Sequence, residues 1–145
     1  MKLDVTVKLS SASALETLVI ALPNEIITIN GNHCPVFSHL LLKTDNGRIT
    51  ISESVAAGIV ILSATNGGIT ARGLRGKIIT LSAANGYIDV GIDDLSGKFT
   101  GAVANGNIDV NVASISGKSG RVELSATNGN VSLSLVTIIK EKHYI

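Results

Sequence analysis

Two aspartates at equivalent positions of a repeated segment are the side chains best suited to holding a cation. Asp89 and Asp109 each lie four residues after the asparagine of an Asn-Gly dipeptide. Carboxylate oxygens are preferred ligands of Ca²⁺, and Asp93 or Asp94 could add to such a set. The equivalent positions of the other repeats hold Thr50, Thr70 and Ser132. Asp89 and Asp109 are therefore calcium candidates without a continuous acidic column, and exposure to screening water is the alternative explanation of the pair.

Imidazole and thiol groups are clustered once, at His33, Cys34 and His39. A zinc site needs three or four converging ligands, and Cys34 is the only cysteine of the chain. A Cys–His nucleophile would also need a third group to orient the histidine. We therefore interpret the segment as a loop with a buried thiol and solvent-facing imidazoles, and the sequence predicts neither a metal ion nor a cofactor.

Catalytic motifs are not supported by their surroundings. Gly117-Lys118-Ser119 ends like a phosphate-binding loop, but Val112 stands where that motif needs glycine, and the context is a strand and a turn. Paired carboxylates could hydrolyse glycosides, yet only 3% of the residues are aromatic and could stack on a sugar. The sequence predicts no catalytic residues and no enzyme.

Composition limits the class of protein. The chain has 145 residues, of which 45% are hydrophobic and 16% charged, with a net charge of +1. This composition excludes a disordered chain and a strongly basic nucleic-acid-binding protein. The longest apolar run, Val55 to Leu62, has eight residues. A membrane-spanning helix needs about 20, so no membrane insertion is predicted.

An internal repeat dominates the chain. Asn-Gly recurs at intervals of 20, 19, 20 and 23 residues, and Asn30-Gly31 is interpreted as a degenerate start. The repeated asparagines are Asn46, Asn66, Asn85, Asn105 and Asn128. On both sides of each asparagine, apolar and polar residues alternate with a period of two, which is typical of strands with one buried face.

The repeat predicts an all-β, single-domain parallel β-solenoid with coils of about 20 residues. Equivalent side chains recur at equivalent columns, and such columns stack on one another only if successive coils lie parallel. Because Asn-Gly also begins many hairpins, an antiparallel β-sandwich or meander is the alternative. The predicted domain is 1–145, with atypical N-terminal coils at 1–40, Asn-Gly repeats at 41–135 and a C-terminal cap at 136–145.

The asparagines are predicted to form a ladder at a buried corner of the solenoid. A side-chain amide can donate to one neighbouring coil and accept from the other. The glycine that follows is expected to supply a positive φ for the bend.

The unit Leu-x-Ala/Thr-x-Asn-Gly-x-Ile-x-Val resembles the repeat of an adhesin-like family of domains of unknown function from bacteria and fungi. It reads Leu81-Ser82-Ala83-Ala84-Asn85-Gly86-Tyr87-Ile88-Asp89-Val90 in one coil. The likeness covers residues 40–135 and implies a β-helical domain, often at a cell surface and without known catalysis.

We therefore expect a structural or adhesion module that presents a flat solenoid surface. The expected partner is a protein or glycan surface, or a second copy of the chain, end to end or face to face. Self-assembly into filaments is the alternative, and a polysaccharide-active or ice-binding β-helix is a third. No signal-peptide pattern follows Met1, so the prediction is intracellular if Met1 is the natural start and cell-surface if the chain is a fragment.

Overall fold

The computed structural model describes residues 4–9, 15–31, 36–116 and 120–138. These segments form a single 10-stranded sheet, and no helix occurs among them. The strands are β1 (Asp4–Leu9), β2 (Leu15–Leu22), β3 (Ile26–Gly31), β4 (Val36–Thr44), β5 (Ile49–Ala64), β6 (Ile69–Asn85), β7 (Ile88–Asn105), β8 (Ile108–Ile115), β9 (Arg121–Asn128) and β10 (Val131–Ile138).

Every pairing between these strands is parallel. Each strand pairs with the equivalent strand of the next coil, so the chain forms a β-solenoid of about 5 turns with coils about 20 residues apart. The predicted parallel solenoid is confirmed, and the antiparallel sandwich or meander is wrong. The repeat decides this, because identical columns bury the same surface only when every coil runs in the same direction.

Two flat faces meet at the corner that holds the asparagines. The first face consists of strands that precede an asparagine, namely β2, β4, β9 and the second halves of β5, β6 and β7. The second face follows the asparagines and contains β1, β3, β8, β10 and the first halves of the same long strands. At the opposite corner the register shifts, between Ile51 and Ser54 in β5 for example, as in a β-bulge that bends a strand.

The interior is filled by columns of aliphatic side chains. In five successive coils, the side chain that begins the second face is at most 1% exposed; these residues are Ile27, Ile49, Ile69, Ile88 and Ile108. Each of these side chains lies one coil above its equivalent, at the strand spacing of about 4.8 Å. A β-branched side chain packs well on the pleated surface of a sheet, and isoleucine occupies this position in all five of these coils.

One coil departs from the column pattern and compensates within itself. Phe99 is fully buried in a column where the preceding coil has Ile79 and the following coil has Val122. Two residues later, Gly101 replaces the usual leucine, and a Cβ there would lie 3.2 Å from the Phe99 ring and 3.0 Å from Leu124. The large ring therefore occupies space that the missing leucine leaves, which keeps the packed volume nearly constant.

Glycine is required at the asparagine corner by space. A Cβ at Gly47 would lie 2.0 Å from the carbonyl oxygen of Glu25, and a Cβ at Gly86 would lie 1.7 Å from that of Gly67. Among the described residues, positive φ values occur only at Gly106 (+151°) and Gly129 (+159°), towards the extended end of the range. The expectation that each glycine supplies a positive φ is therefore wrong. The coils approach each other so closely at this corner that a methyl group would overlap the backbone of the preceding coil.

Replacing Gly86 with alanine is expected to cost about 3 kcal/mol of unfolding free energy, because a backbone carbonyl cannot rotate away from the new methyl group as a side chain would. Gly58→Ala is the matched control. Its Cβ would lie 3.1 Å from the Ser38 carbonyl oxygen, so its stability should stay within about 1 kcal/mol of wild type. Urea denaturation followed by circular dichroism measures both variants. Equal losses would contradict a steric origin of the glycine column.

Candidate functional site

A continuous ladder of side-chain amides runs along the corner between the two faces. In each step, Nδ2 of one asparagine donates to Oδ1 of the asparagine in the preceding coil, over 2.7 to 2.9 Å. All donors point towards the N-terminal coils, so the ladder has a direction. The asparagine ladder consists of Asn24, Asn46, Asn66, Asn85, Asn105 and Asn128.

Asn24 is a rung that the sequence analysis missed. Asn46 Nδ2 donates to its Oδ1 over 2.7 Å, whereas Asn30 lies inside β3 opposite Lys8. The interpretation of Asn30-Gly31 as the degenerate start is therefore wrong. Asn24 is not part of an Asn-Gly dipeptide, because Glu25 follows it. The signal was available in the apolar columns around it, since Leu22 and Ile27 have the same spacing from Asn24 as their equivalents have from Asn46.

The ladder is exposed, and the prediction of a buried corner is wrong. All of the rungs from Asn46 to Asn128 are exposed to solvent. The asparagine side chains lie along an outer edge, whereas the column two residues earlier, which includes Thr44, Ala64 and Ala83, is buried. The polar side chain of Thr44 is also hydrogen-bonded, although it is fully buried: its hydroxyl donates to the Glu25 carbonyl oxygen over 2.8 Å.

Asp89 and Asp109 lie in register on adjacent coils of the second face, and both are exposed. Asp89 pairs with Thr70 on the one side, and Asp109 pairs with Ser132 on the other. Their repulsion is weakened by the surrounding water. Among the described residues, no group of three or more histidine, cysteine, aspartate or glutamate side chains is close enough to hold a metal ion.

Asp93 belongs to a different site, at the corner opposite the ladder, and does not extend the Asp89 pair. Its Oδ2 accepts a 2.9 Å hydrogen bond from Ser54, which lies two coils away. Gly73 lies between these coils, and a Cβ there would lie 2.6 Å from the carboxylate, so glycine leaves room for the bond. Arg75 Nε approaches the same oxygen at 3.9 Å, but this ion pair is too exposed to add much stability.

The Asp94 carboxylate likewise accepts hydrogen bonds from hydroxyl groups of the next coil. Ser114 donates to its Oδ1 over 3.0 Å, and Ser116 donates to its Oδ2 over 2.9 Å. The sequence offered little signal for these bonds, because they join residues about a full coil apart. Hydrogen bonds of both aspartates thus connect the coils at the second corner, where no asparagine ladder runs. The suggestion that either aspartate completes a calcium site with Asp89 is wrong.

The first face carries an aliphatic patch on its outer side. Val19, Leu41 and Ile61 are in register on three successive coils, and Ile78 lies in the adjacent outer column. Val19 is 56% exposed, Ile61 38% and Ile78 43%. Leu41 between them is half-buried. Outer positions of a sheet are normally polar, so three exposed aliphatic side chains this close together are typical of an interaction surface.

The same face becomes charged towards the C-terminal coils. The column of Ile61 continues through threonines to Glu123, which lies 3.5 Å from Lys98 and also contacts Arg121. One flat surface therefore offers an apolar half and a half with mixed charges.

The remaining motifs of the sequence are the histidine and cysteine cluster and the Gly-Lys-Ser segment. His39 is exposed on β4 of the first face. His33, Cys34 and the segment Gly117-Lys118-Ser119 lie outside the described residues, so their interpretation stays a prediction.

The described surface has a shallow depression beside the asparagine corner. Its volume is about 190 Å³, and it is lined by Ala21, Leu22, Pro23, Lys43 and Asp45. Ligand pockets for small molecules are larger, about 300 Å³ or more. The depression is thus smaller than a typical small-molecule pocket.

Comparison with known proteins finds no matching family model, no similar curated protein and no similar solved structure. In the segments that the structure describes, no helix is long and apolar enough to cross a membrane. Function is therefore inferred from the ladder and the outer faces.

Asn85→Ala is expected to lower the unfolding free energy by about 1–2 kcal/mol, because it removes a hydrogen bond on each side of the rung. Ser82→Ala, on an exposed outer position of the same strand, should cost less than about 0.5 kcal/mol. Asn128→Ala should fall between them, since Asn128 makes one ladder bond with the described residues. Urea denaturation of the three variants tests this order, and equal midpoints for Asn85→Ala and Ser82→Ala would contradict a stabilising ladder.

Proposed function

We propose that this chain is a non-catalytic interaction module that binds a protein surface through the aliphatic patch of its first face. The observation that carries the proposal is the register of Val19, Leu41 and Ile61, which places the exposed Val19 and Ile61 on either side of a half-buried Leu41 on three successive coils. Burying such a patch against a partner releases ordered water, with a free-energy gain proportional to the apolar area covered.

Rigidity supports this function. The patch lies on strands whose inner residues, such as Leu40 and Leu62, are no more than 1% exposed and packed into the columns. A surface that is already ordered loses little conformational entropy when it binds. The resemblance of the repeat to adhesin-like domains agrees with a role in adhesion.

The choice of a protein rather than a glycan partner follows from the chemistry of the patch. Sugars bind to aromatic platforms and to hydrogen-bonding groups, whereas the patch offers branched aliphatic groups bordered by Lys43 and His39. A polar surface is the alternative to the patch as a binding site, and it lies at the second face, where Tyr87 is 41% exposed two residues before Asp89.

Ile61→Lys tests the proposed surface. A charge within the patch should weaken partner binding more than about tenfold, because it must be desolvated in the complex. Ala102→Lys is the matched control, an exposed outer position of the same face beyond the patch. Proteins captured from source-cell extracts are quantified by mass spectrometry and then titrated singly against each variant.

A partner held by wild type and by Ala102→Lys but lost with Ile61→Lys supports the proposal. Binding that survives Ile61→Lys but disappears with Tyr87→Ala would move the site to the second face. Equal binding by all of the variants would contradict a role for either surface.

A second candidate function is self-association end to end, which the strand order favours. The second face follows the path β1-β3-β5-β6-β7-β8-β10, so β1 and β10 each pair on one side only within the described part of the chain. Inward positions of β10 are correspondingly open, with Val131 45%, Leu133 41% and Leu135 44% exposed. An unpaired strand edge with apolar side chains is a template for another parallel strand.

Leu133→Lys tests this second candidate by placing a charge in the column that a second copy would cover. Wild type should increase in mass with concentration in light scattering, and Leu133→Lys should remain monomeric. Ser132→Lys, on the outer side of the same strand, should behave as wild type. A wild-type chain that stays monomeric at every concentration, or equal effects of both substitutions, would contradict end-to-end assembly.

A further inference from the structure

The asparagine corner is also a chemical site, because Asn-Gly is the dipeptide most prone to spontaneous deamidation. The backbone nitrogen of glycine attacks Cγ of the preceding asparagine, an N–Cγ bond forms, the Cγ–Nδ2 bond breaks, and ammonia leaves with the proton of the glycine N–H. Water then opens the succinimide ring at either carbonyl and gives aspartate or isoaspartate. No oxidant or other reactant is needed.

We propose that Asn128-Gly129 is a site of deamidation in the folded protein, and that the ladder protects the same dipeptide at Asn85 and Asn105. The protection follows from the atoms that must move. Cγ can reach the glycine nitrogen only if the side chain rotates, which breaks its bonds to both neighbouring rungs. The glycine N–H must also leave any carbonyl to which it donates.

All of these restraints are present at the two central rungs. Asn85 Nδ2 donates to Asn66 over 2.9 Å, and its Oδ1 accepts from Asn105 over 2.8 Å. The Gly86 N–H donates to the Asn105 carbonyl over 3.1 Å. Asn105 is held in the same way, since its Oδ1 accepts from Asn128 and the Gly106 N–H donates to the Asn128 carbonyl over 2.9 Å.

Fewer restraints hold Asn128. Its Nδ2 donates to Asn105 over 2.8 Å, but no described residue donates to its Oδ1 or accepts from the Gly129 N–H. Asn128 and Gly129 are both exposed, so water has access to the succinimide. Of the three restraints found at Asn85, this rung keeps one.

Asn46 and Asn66 are intermediate. Both amides bond to a rung on each side, but no described carbonyl accepts from the N–H of Gly47 or Gly67. The structure therefore ranks the five dipeptides by rate, with Asn128 fastest, Asn46 and Asn66 slower, and Asn85 and Asn105 slowest.

Deamidation at Asn128 would change the end of the ladder. The new carboxylate cannot donate to Asn105 Oδ1, and isoaspartate adds a methylene to the backbone at the corner. The reaction would therefore remove the last described bond of the ladder and place a negative charge beside β10.

The sequence allows a direct measurement of the ranking. The intact folded chain is incubated in mildly alkaline buffer, sampled over time and digested with trypsin. Cleavage at lysine and arginine places the five dipeptides in separate peptides, 44–48, 49–72, 78–98, 99–118 and 122–140. Mass spectrometry with fragmentation quantifies aspartate and isoaspartate at each asparagine.

Asn128 should convert at least about tenfold faster than Asn85 or Asn105, because the reactive conformation breaks two fewer hydrogen bonds there. The same incubation in urea removes the ladder, and the five rates should then converge to within a few-fold. Equal rates in the folded chain, or a central rung that reacts fastest, would overturn the proposal.

Asn128→Ala separates protection by the ladder from loosening of the last coil. This variant removes the donor to Asn105 Oδ1 and should accelerate deamidation at Asn105, while Asn85 stays slow. Thr127→Ala, an exposed neighbour outside the ladder, should leave Asn105 unchanged. An unchanged rate at Asn105 in Asn128→Ala, with circular dichroism showing a folded chain, would overturn the protective role of the ladder.

Discussion

The spacing of about 4.8 Å between parallel strands is the constraint on which the rest of this structure depends. Because every coil lies directly on the preceding one, each residue has its own equivalent as nearest neighbour. An asparagine at the corner therefore meets another asparagine and can donate to it over 2.7 to 2.9 Å. A glycine beside it meets a carbonyl so closely that a Cβ would lie 1.6 to 2.0 Å away. The repeat in the sequence is the consequence of this stacking, since one residue type must suit the same surroundings in each coil.

Departures from the repeat show how the constraint is met when a residue changes. Phe99 is accommodated by Gly101 in its own coil, and the buried Thr44 hydroxyl is paired with a carbonyl of the coil before it. At the second corner Gly73 opens a gap through which Asp93 bonds to Ser54 two coils away. Each exception keeps the volume filled and the polar atoms paired. Among the described residues, no buried side-chain nitrogen or oxygen lacks a hydrogen-bond partner.

The same constraint fills the interior with columns of side chains. The surfaces that the described coils leave open to other molecules are the outer faces, the exposed corner and the ends of the sheet. The first face has the most unusual outer surface, with aliphatic groups on its N-terminal coils and Lys98, Arg121 and Glu123 on its C-terminal coils. The corner adds a second property, because hydrogen bonds that stabilise the coils also restrain a reactive dipeptide.

The sequence predicts the parallel solenoid, the coil length and most members of the columns, because a period of two within a period of about 20 residues repeats the same local environment. It also identified Asn46, Asn66, Asn85, Asn105 and Asn128 as one column, although it missed Asn24, which lacks the following glycine. The packing of the coils was needed to show that the asparagines are exposed, that Asp93 and Asp94 bond to serines, and that space rather than φ requires glycine at Gly47, Gly67 and Gly86. These properties depend on how far apart two coils lie and which way a corner turns, and residues about 20 positions apart in the chain carry no local signal of either.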